Sequence, residues 1–126
     1  MILVDTSAWI EFLRLAGDIE IKGAVKDLVM EGSAAFTCPV MFELVLGAHP
    51  KETKDLHMAL DLAERIPATP ANWDYAAGLA TALRKKGLSF PAMNLVIASV
   101  AASEKMRLLT TDGHFARNRD EVSPEL

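Results

Sequence analysis

The chain has 126 residues, of which 51% are apolar and 24% charged, and it carries a net charge of −4. That length fits one domain with one sizeable core, and the acid surplus argues against a protein that coats nucleic acid nonspecifically, while leaving room for a local basic patch. The single cysteine, Cys38, excludes an internal disulfide and suits a reducing compartment.

Asp5 interrupts the N-terminal apolar run at once, so no leader pattern is read there, and no stretch approaches the ~20 apolar residues of a spanning helix. The expectation is a soluble, cytoplasmic protein forming one domain over residues 1–126. Internal repeats, low-complexity tracts and linkers are absent from the sequence.

Ile2-Leu3-Val4 reads as a short buried strand of a parallel sheet, with Asp5 directly at its end and Thr6-Ser7 after it. Open α/β sheets bind ligands outside the carboxyl ends of their strands. Asp5 therefore stands where such folds do chemistry, although Asp5, Thr6 or Ser7 equally suits the N-cap of the next helix. Ser7 to Arg14 is a short amphipathic helix on Trp9, Ile10 and Leu13, with Leu15 beyond, ended by Ala16-Gly17. A second helix starts at Asp18, carries Ile19, Val25, Leu28 and Val29 on its apolar face, and stops at Gly32.

Ser33 to Thr37 is a second strand, Cys38 is read as a small buried residue, and Pro39 suits the first turn of a helix. That helix, Val40 to Gly47, has Glu43 as its only charge. A carboxylate among apolar residues must be paired, metal-bound or protonated, unless Glu43 lies on a solvent-facing stripe. Lys51 to Arg65 reads as another amphipathic helix on Leu56, Ala59, Leu60 and Ala63, and Ile66 to Pro70 leaves room only for a short extended segment.

A long helix opens at Pro70 or Asn72 and closes in Arg84-Lys85-Lys86-Gly87, where cations suit the helix dipole and glycine the cap. The same three cations are a candidate phosphate contact. Asn94 stands at or near the start of a small-residue apolar helix through Ala102, and asparagine is among the best N-caps. Met106 to Thr110 forms a strand feeding a turn and short helix, so Asp112 repeats the placement of Asp5. The charged segment 117–126, with Pro124, reads as a loosely held tail. Alternating short strands and helices predict a three-layer α/β/α domain with a short, mostly parallel central sheet.

Three acids, Asp5, Glu43 and Asp112, thus lie at element ends or on an apolar helix. Clustered carboxylates repel one another unless a cation neutralises them, and oxygen ligands without a His or Cys cluster select Mg²⁺ or Mn²⁺ over Zn²⁺. Such a centre activates water and neutralises charge on a phosphate.

In its motifs the chain resembles the PIN domain, and in particular the VapC-like toxins of bacterial toxin–antitoxin pairs. The resemblance rests on Ile2-Leu3-Val4-Asp5-Thr6-Ser7, on Val40 through Ala48 around Glu43, on Asn94-Leu95-Val96-Ile97-Ala98, and on Leu108-Leu109-Thr110-Thr111-Asp112-Gly113-His114-Phe115. It implies a metal-dependent endoribonuclease cutting structured RNA, tRNA or rRNA in class. It also implies a homodimer blocked by a cognate antitoxin that threads a segment into the active-site groove. Carried over by position, Asp5, Glu43 and Asp112 would hold Mg²⁺ or Mn²⁺, with Thr6 or Ser7 as hydrogen-bond support and Thr110 shaping the acidic loop. Lys51, Lys54, Arg84, Lys85, Lys86, Arg117 and Arg119 are candidate guides for RNA.

The chain departs from the family at Asn94, where an acid is expected at the head of the helix, and at His114, where some relatives carry a further acid. An amide oxygen still ligates a metal but brings no negative charge and does not serve as a base. Asn94 therefore completes the candidate catalytic set of Asp5, Glu43 and Asp112 in a weakened form. It is native to an impaired enzyme, the mark of a domain kept for binding antitoxin or RNA, or an introduced change. A phosphatase-type hydrolase using the same acids is a third reading, and no phosphate-cradling Gly-rich loop supports it.

Overall fold

The computed structural model describes residues 1–112. The expected turn and helix at Gly113-His114-Phe115, and the tail at 117–126 with Arg117 and Arg119, lie outside the described residues.

The elements are β1 (Ile2–Val4), α1 (Thr6–Leu13), α2 (Ile19–Met30), β2 (Ala34–Thr37), α3 (Cys38–Gly47), α4 (Thr53–Leu62), β3 (Glu64–Ile66), α5 (Pro70–Lys85), α6 (Ala92–Ser103) and β4 (Arg107–Leu109). Four strands form one sheet in the order β3-β2-β1-β4, every neighbouring pair parallel. The chain moves outward from β1 through β2 to β3, then returns across the sheet to β4. Right-handed crossovers accordingly place α1 to α4 on one face and α5 and α6 on the other. This is the expected three-layer arrangement.

The core explains why the strands are so short. Leu3, Val4, Ala34, Ala35 and Phe36 are all buried, sandwiched by Trp9, Val25, Val40 and Leu56 and by Ile97, Val100 and Ala101. In α6 every residue from Asn94 to Ala101 is buried, so the helix is apolar all round because it lies inside. Trp9 is completely buried and meets Phe12 edge-on, with ring centroids 6.0 Å apart.

Two turns depend on glycine. A Cβ on Gly17 would come within 1.9 Å of the Glu11 carbonyl oxygen, so only glycine lets the chain fold back from α1 into α2. Lys22 Nζ donates to the carbonyls of Phe12 and Arg14 at the same turn. Gly87 has φ +76, and the Leu88 amide returns to the Leu83 carbonyl at 2.9 Å, closing α5.

Several expectations are corrected. Residues Glu64 and Arg65, read as the end of a helix, belong to strand β3. Both are exposed, so their polarity mimics a helix surface, but pairing with Ala35 and Phe36 decides their conformation. Arg65 lies over the Phe36 ring at 5.6 Å, and its charge guards a sheet edge. Leu15 and Ile19, assigned to apolar helix faces, are exposed because α1 already ends at Leu13 and α2 begins at Ile19 itself. Cys38 is half-buried, being the first residue of α3 rather than part of the strand behind it.

Candidate active site

The order of the strands reverses between β1 and β4, and the carboxyl ends of these two neighbours carry the two aspartates. Val4 is in register with Leu109, and the Asp5 amide donates to the Leu109 carbonyl at 2.9 Å. One residue further along each strand therefore sets Asp5 level with Thr110. Topological reversals of this kind are where open α/β sheets form ligand crevices.

Asp5 occupies the N-cap position of α1, yet its side chain makes no capping bond. Its carboxylate, 3% exposed, instead accepts from Ser7 Oγ at 2.8 Å and from Thr110 Oγ1 at 2.9 Å, both on Oδ2. The two hydroxyls lie 3.2 Å apart. They in turn accept from backbone: Thr111 N reaches Ser7 Oγ and Asp112 N reaches Thr110 Oγ1, each at 3.0 Å. Ser7 and Thr110 thus fix both the Asp5 carboxylate and the backbone that presents Asp112.

Glu43 is half-buried on α3 and accepts from Thr6 Oγ1 at 2.9 Å. Neither open alternative for Glu43 holds in pure form: it is not a solvent stripe, and its hydrogen bond ties it to the residue following Asp5. Asn94 is also not the helix cap. The cap of α6 is Pro91, Asn94 is the third helical residue, and its Nδ2 donates to Asp112 Oδ2 at 2.8 Å. A carboxylate only accepts, so the amide must turn its NH₂ toward Asp112.

Every residue of the candidate set is therefore joined to a neighbour within it. Among the described residues, however, no group of three or more His, Cys, Asp or Glu side chains is arranged to hold a metal ion. The donors that do converge are carboxylate, amide and hydroxyl oxygens, which are hard ligands. Both hydroxyl bonds to Asp5 fall on Oδ2, so Oδ1 is the oxygen left for a cation. Magnesium typically takes only one or two carboxylates and keeps its waters, so the chemistry of this donor set fits Mg²⁺ or Mn²⁺.

A PIN domain family model matches residues 2–121. The chain belongs to the PIN domain family. This PIN domain is 30% identical over 122 residues to a VapC ribonuclease of Mycobacterium bovis and to ribonuclease VapC11 of Mycobacterium tuberculosis, matching 91% of this chain and 89% of each relative. Its fold is similar to that in a crystal structure of VapBC2 from Rickettsia felis bound to a DNA fragment from their promoter. There the TM-score is 0.76 at 24% identity, covering 93% of this chain and 92% of the other. It is also similar to FitAcB from Neisseria gonorrhoeae, with TM-score 0.72 at 23% identity and coverage of 89% and 88%.

Sequence reasoning missed the direction in which Asn94 points. Its place one turn into the helix, rather than before it, was the available signal, because a residue inside the first turn has its side chain free for a neighbour. Asn72 was named only as a helix start. It forms a capping box with Thr69, and its Nδ2 reaches the Ser99 carbonyl, Ser99 Oγ and Ser103 Oγ, so it ties α5 to α6. The spacing Thr69-x-x-Asn72 resembles a capping box in sequence.

Proposed function

We propose that this PIN domain is an endoribonuclease of the VapC type that hydrolyses phosphodiester bonds of structured RNA, tRNA or rRNA in class, with Mg²⁺ or Mn²⁺. The observation that carries the reading is the hydroxyl-clamped Asp5 beside Asp112 at the carboxyl ends of β1 and β4, in a chain whose 30%-identical relatives are named ribonucleases. Asp5 and Asp112 would hold the cation, with Glu43 approaching from α3. Bound there, a divalent cation supplies charge neutralisation for a phosphate and a more acidic water.

The chain's own residues do the rest by position. Ser7 and Thr110 hold Asp5 in one rotamer, which lowers the cost of ordering a ligand. Thr6 fixes Glu43 against α1, leaving its second oxygen to take a proton or face the cation. The reaction adds a water oxygen to phosphorus and breaks one phosphorus–ester bond, with the departing alkoxide taking a proton.

The partner we propose is an antitoxin, as in the toxin–antitoxin complexes whose fold this chain shares. An apolar groove of about 900 Å³ runs along Phe12, Leu13, Met30, Met58 and Leu62, rimmed by Arg14, Lys26 and Lys51. Such a surface suits an amphipathic segment carrying acids. None of Asp5, Glu43, Asn94 or Asp112 lines this groove, so a segment seated there reaches the acids only by extending past it. Phe42, Val45 and Leu46 on α3 are exposed and uncharged, and we assign them to a homodimer contact, because one uncharged patch covers itself across a twofold axis.

The test is cleavage of a structured RNA pool with Mg²⁺ or Mn²⁺. Asp5→Ala is expected to remove cleavage while leaving the fold intact, since Ser7 and Thr110 still bond each other. Cleavage that survives both the substitution and EDTA defeats the reading. A catalytically silent module that binds antitoxin or RNA is the second reading, favoured by the amide that already engages Asp112. It requires tight complexes with no metal-dependent turnover.

A further inference from the structure

We propose that Asn94 is a positioning residue that holds Asp112 in the site independently of any cation, and that the site consequently binds its cation weakly. The inference rests on the ribonuclease reading insofar as Asp112 is a cation-holding residue.

Asn94 is 9% exposed, and its backbone amide already bonds the Pro91 carbonyl. The side chain is therefore not used on the helix end, and its one hydrogen bond in the site goes to Asp112, 18 residues on. A hydrogen bond to an ionised acceptor in a sheltered place is stronger than a neutral one. An acid at position 94 would do the opposite. Two carboxylates at that separation repel, and the pair is tolerated only with a shared proton or a cation between them. With an acid, then, the cation assembles the site; with the amide, the site is assembled beforehand and the cation adds less.

Two consequences follow from the same geometry. The cation competes with Nδ2 for Asp112 Oδ2 or uses the other oxygen, and it meets one negative charge fewer. Both weaken its binding. The cation should therefore stabilise this chain little, whereas it should stabilise an acid-bearing variant strongly, because whatever binds only the native state raises the melting temperature.

The experiment compares the full chain with Asn94→Asp and Asn94→Ala by thermal unfolding in EDTA and in saturating Mn²⁺, with Mn²⁺ affinity measured by calorimetry. In EDTA both variants are expected to melt roughly 5–10 °C below the parent, Asn94→Asp the lower. Added Mn²⁺ should return Asn94→Asp to the parent's melting temperature or above and leave Asn94→Ala depressed. Asn94→Asp should also bind Mn²⁺ at least ~10-fold more tightly than the parent.

If Asn94→Asp unfolds in EDTA and folds on adding Mn²⁺, the proposal stands in its strongest form. Equal melting of parent and Asn94→Asp in EDTA, equal Mn²⁺ affinities, or equal depression of both variants that Mn²⁺ does not relieve would each overturn it, the last by making Asn94 merely structural. RNA cleavage measured in parallel separates the two readings. A melting contrast with no cleavage by either parent or Asn94→Asp removes the ribonuclease and keeps the positioning role, while cleavage without the contrast does the reverse.

Discussion

Thr6 Oγ1 donates to Glu43 Oε1 at 2.9 Å, joining the first turn of α1 to the middle of α3 across 37 residues of sequence. The bond matters because Thr6 follows Asp5 directly, so the position of one acid is transmitted to the other through a single peptide and a hydroxyl. Without it, Glu43 would be a flexible side chain on a helix whose neighbouring residues are apolar.

Thr6→Val keeps the shape and removes the donor. RNA cleavage is expected to fall about tenfold, mostly in kcat, because a hydrogen bond to a charged group is worth about 1.5–3 kcal/mol, part of which water replaces at this half-buried site. The melting temperature should move by only a few degrees. Unchanged cleavage would show that Glu43 does not need anchoring.

Asn72→Ala should be the more damaging change for stability although it touches none of the acids. Asn72 is 6% exposed and serves the α5 cap and the contact with α6 at once. Losing a cap costs about 1 kcal/mol, and leaving buried partners unsatisfied adds about 1–3 kcal/mol. Urea unfolding should show a loss of roughly 2–4 kcal/mol with an unaltered slope.

Met58→Glu places an acid in the groove between Lys51 and Leu62, at a side chain that is 56% exposed. Folding and RNA cleavage should be unaffected, and affinity for the cognate antitoxin should fall about 100-fold through desolvation of the new charge. Retained affinity in titration calorimetry would move the antitoxin to another surface.

Leu46→Glu tests the assembly on the opposite argument. Leu46 is 77% exposed, so its replacement costs the monomer little. Sedimentation should show the parent as a dimer and the variant shifted to a monomer, and a parent that sediments as a monomer at all concentrations would remove the α3 contact.

The acids, their strands and the order of elements were legible because they depend on local chemistry. Apolar runs of strand length ended in Asp5 and Thr110-Thr111-Asp112, and Glu43 stood out against an apolar helix. What was not legible depends on partners distant in sequence. Glu64 and Arg65 carry helix-like polarity and become strand only because β2 offers them a ladder. The Asn94 amide could be a cap or a clamp, and the choice was made by Asp112 arriving from β4. Serine and threonine at 7 and 110 looked like ordinary turn residues until parallel pairing set them 3.2 Å apart.

The bond from Thr110 to Asp5 spans 105 residues. Asp5 leaves the ribosome among the first residues, whereas the hydroxyl that fixes it arrives only after β4 has been made and has slotted beside β1. A nascent or truncated chain lacking the last strand therefore carries Asp5 without its clamp and without Asp112. The cell making this protein is shielded by topology during synthesis, and the interval before the final strand docks is time in which a partner can be waiting.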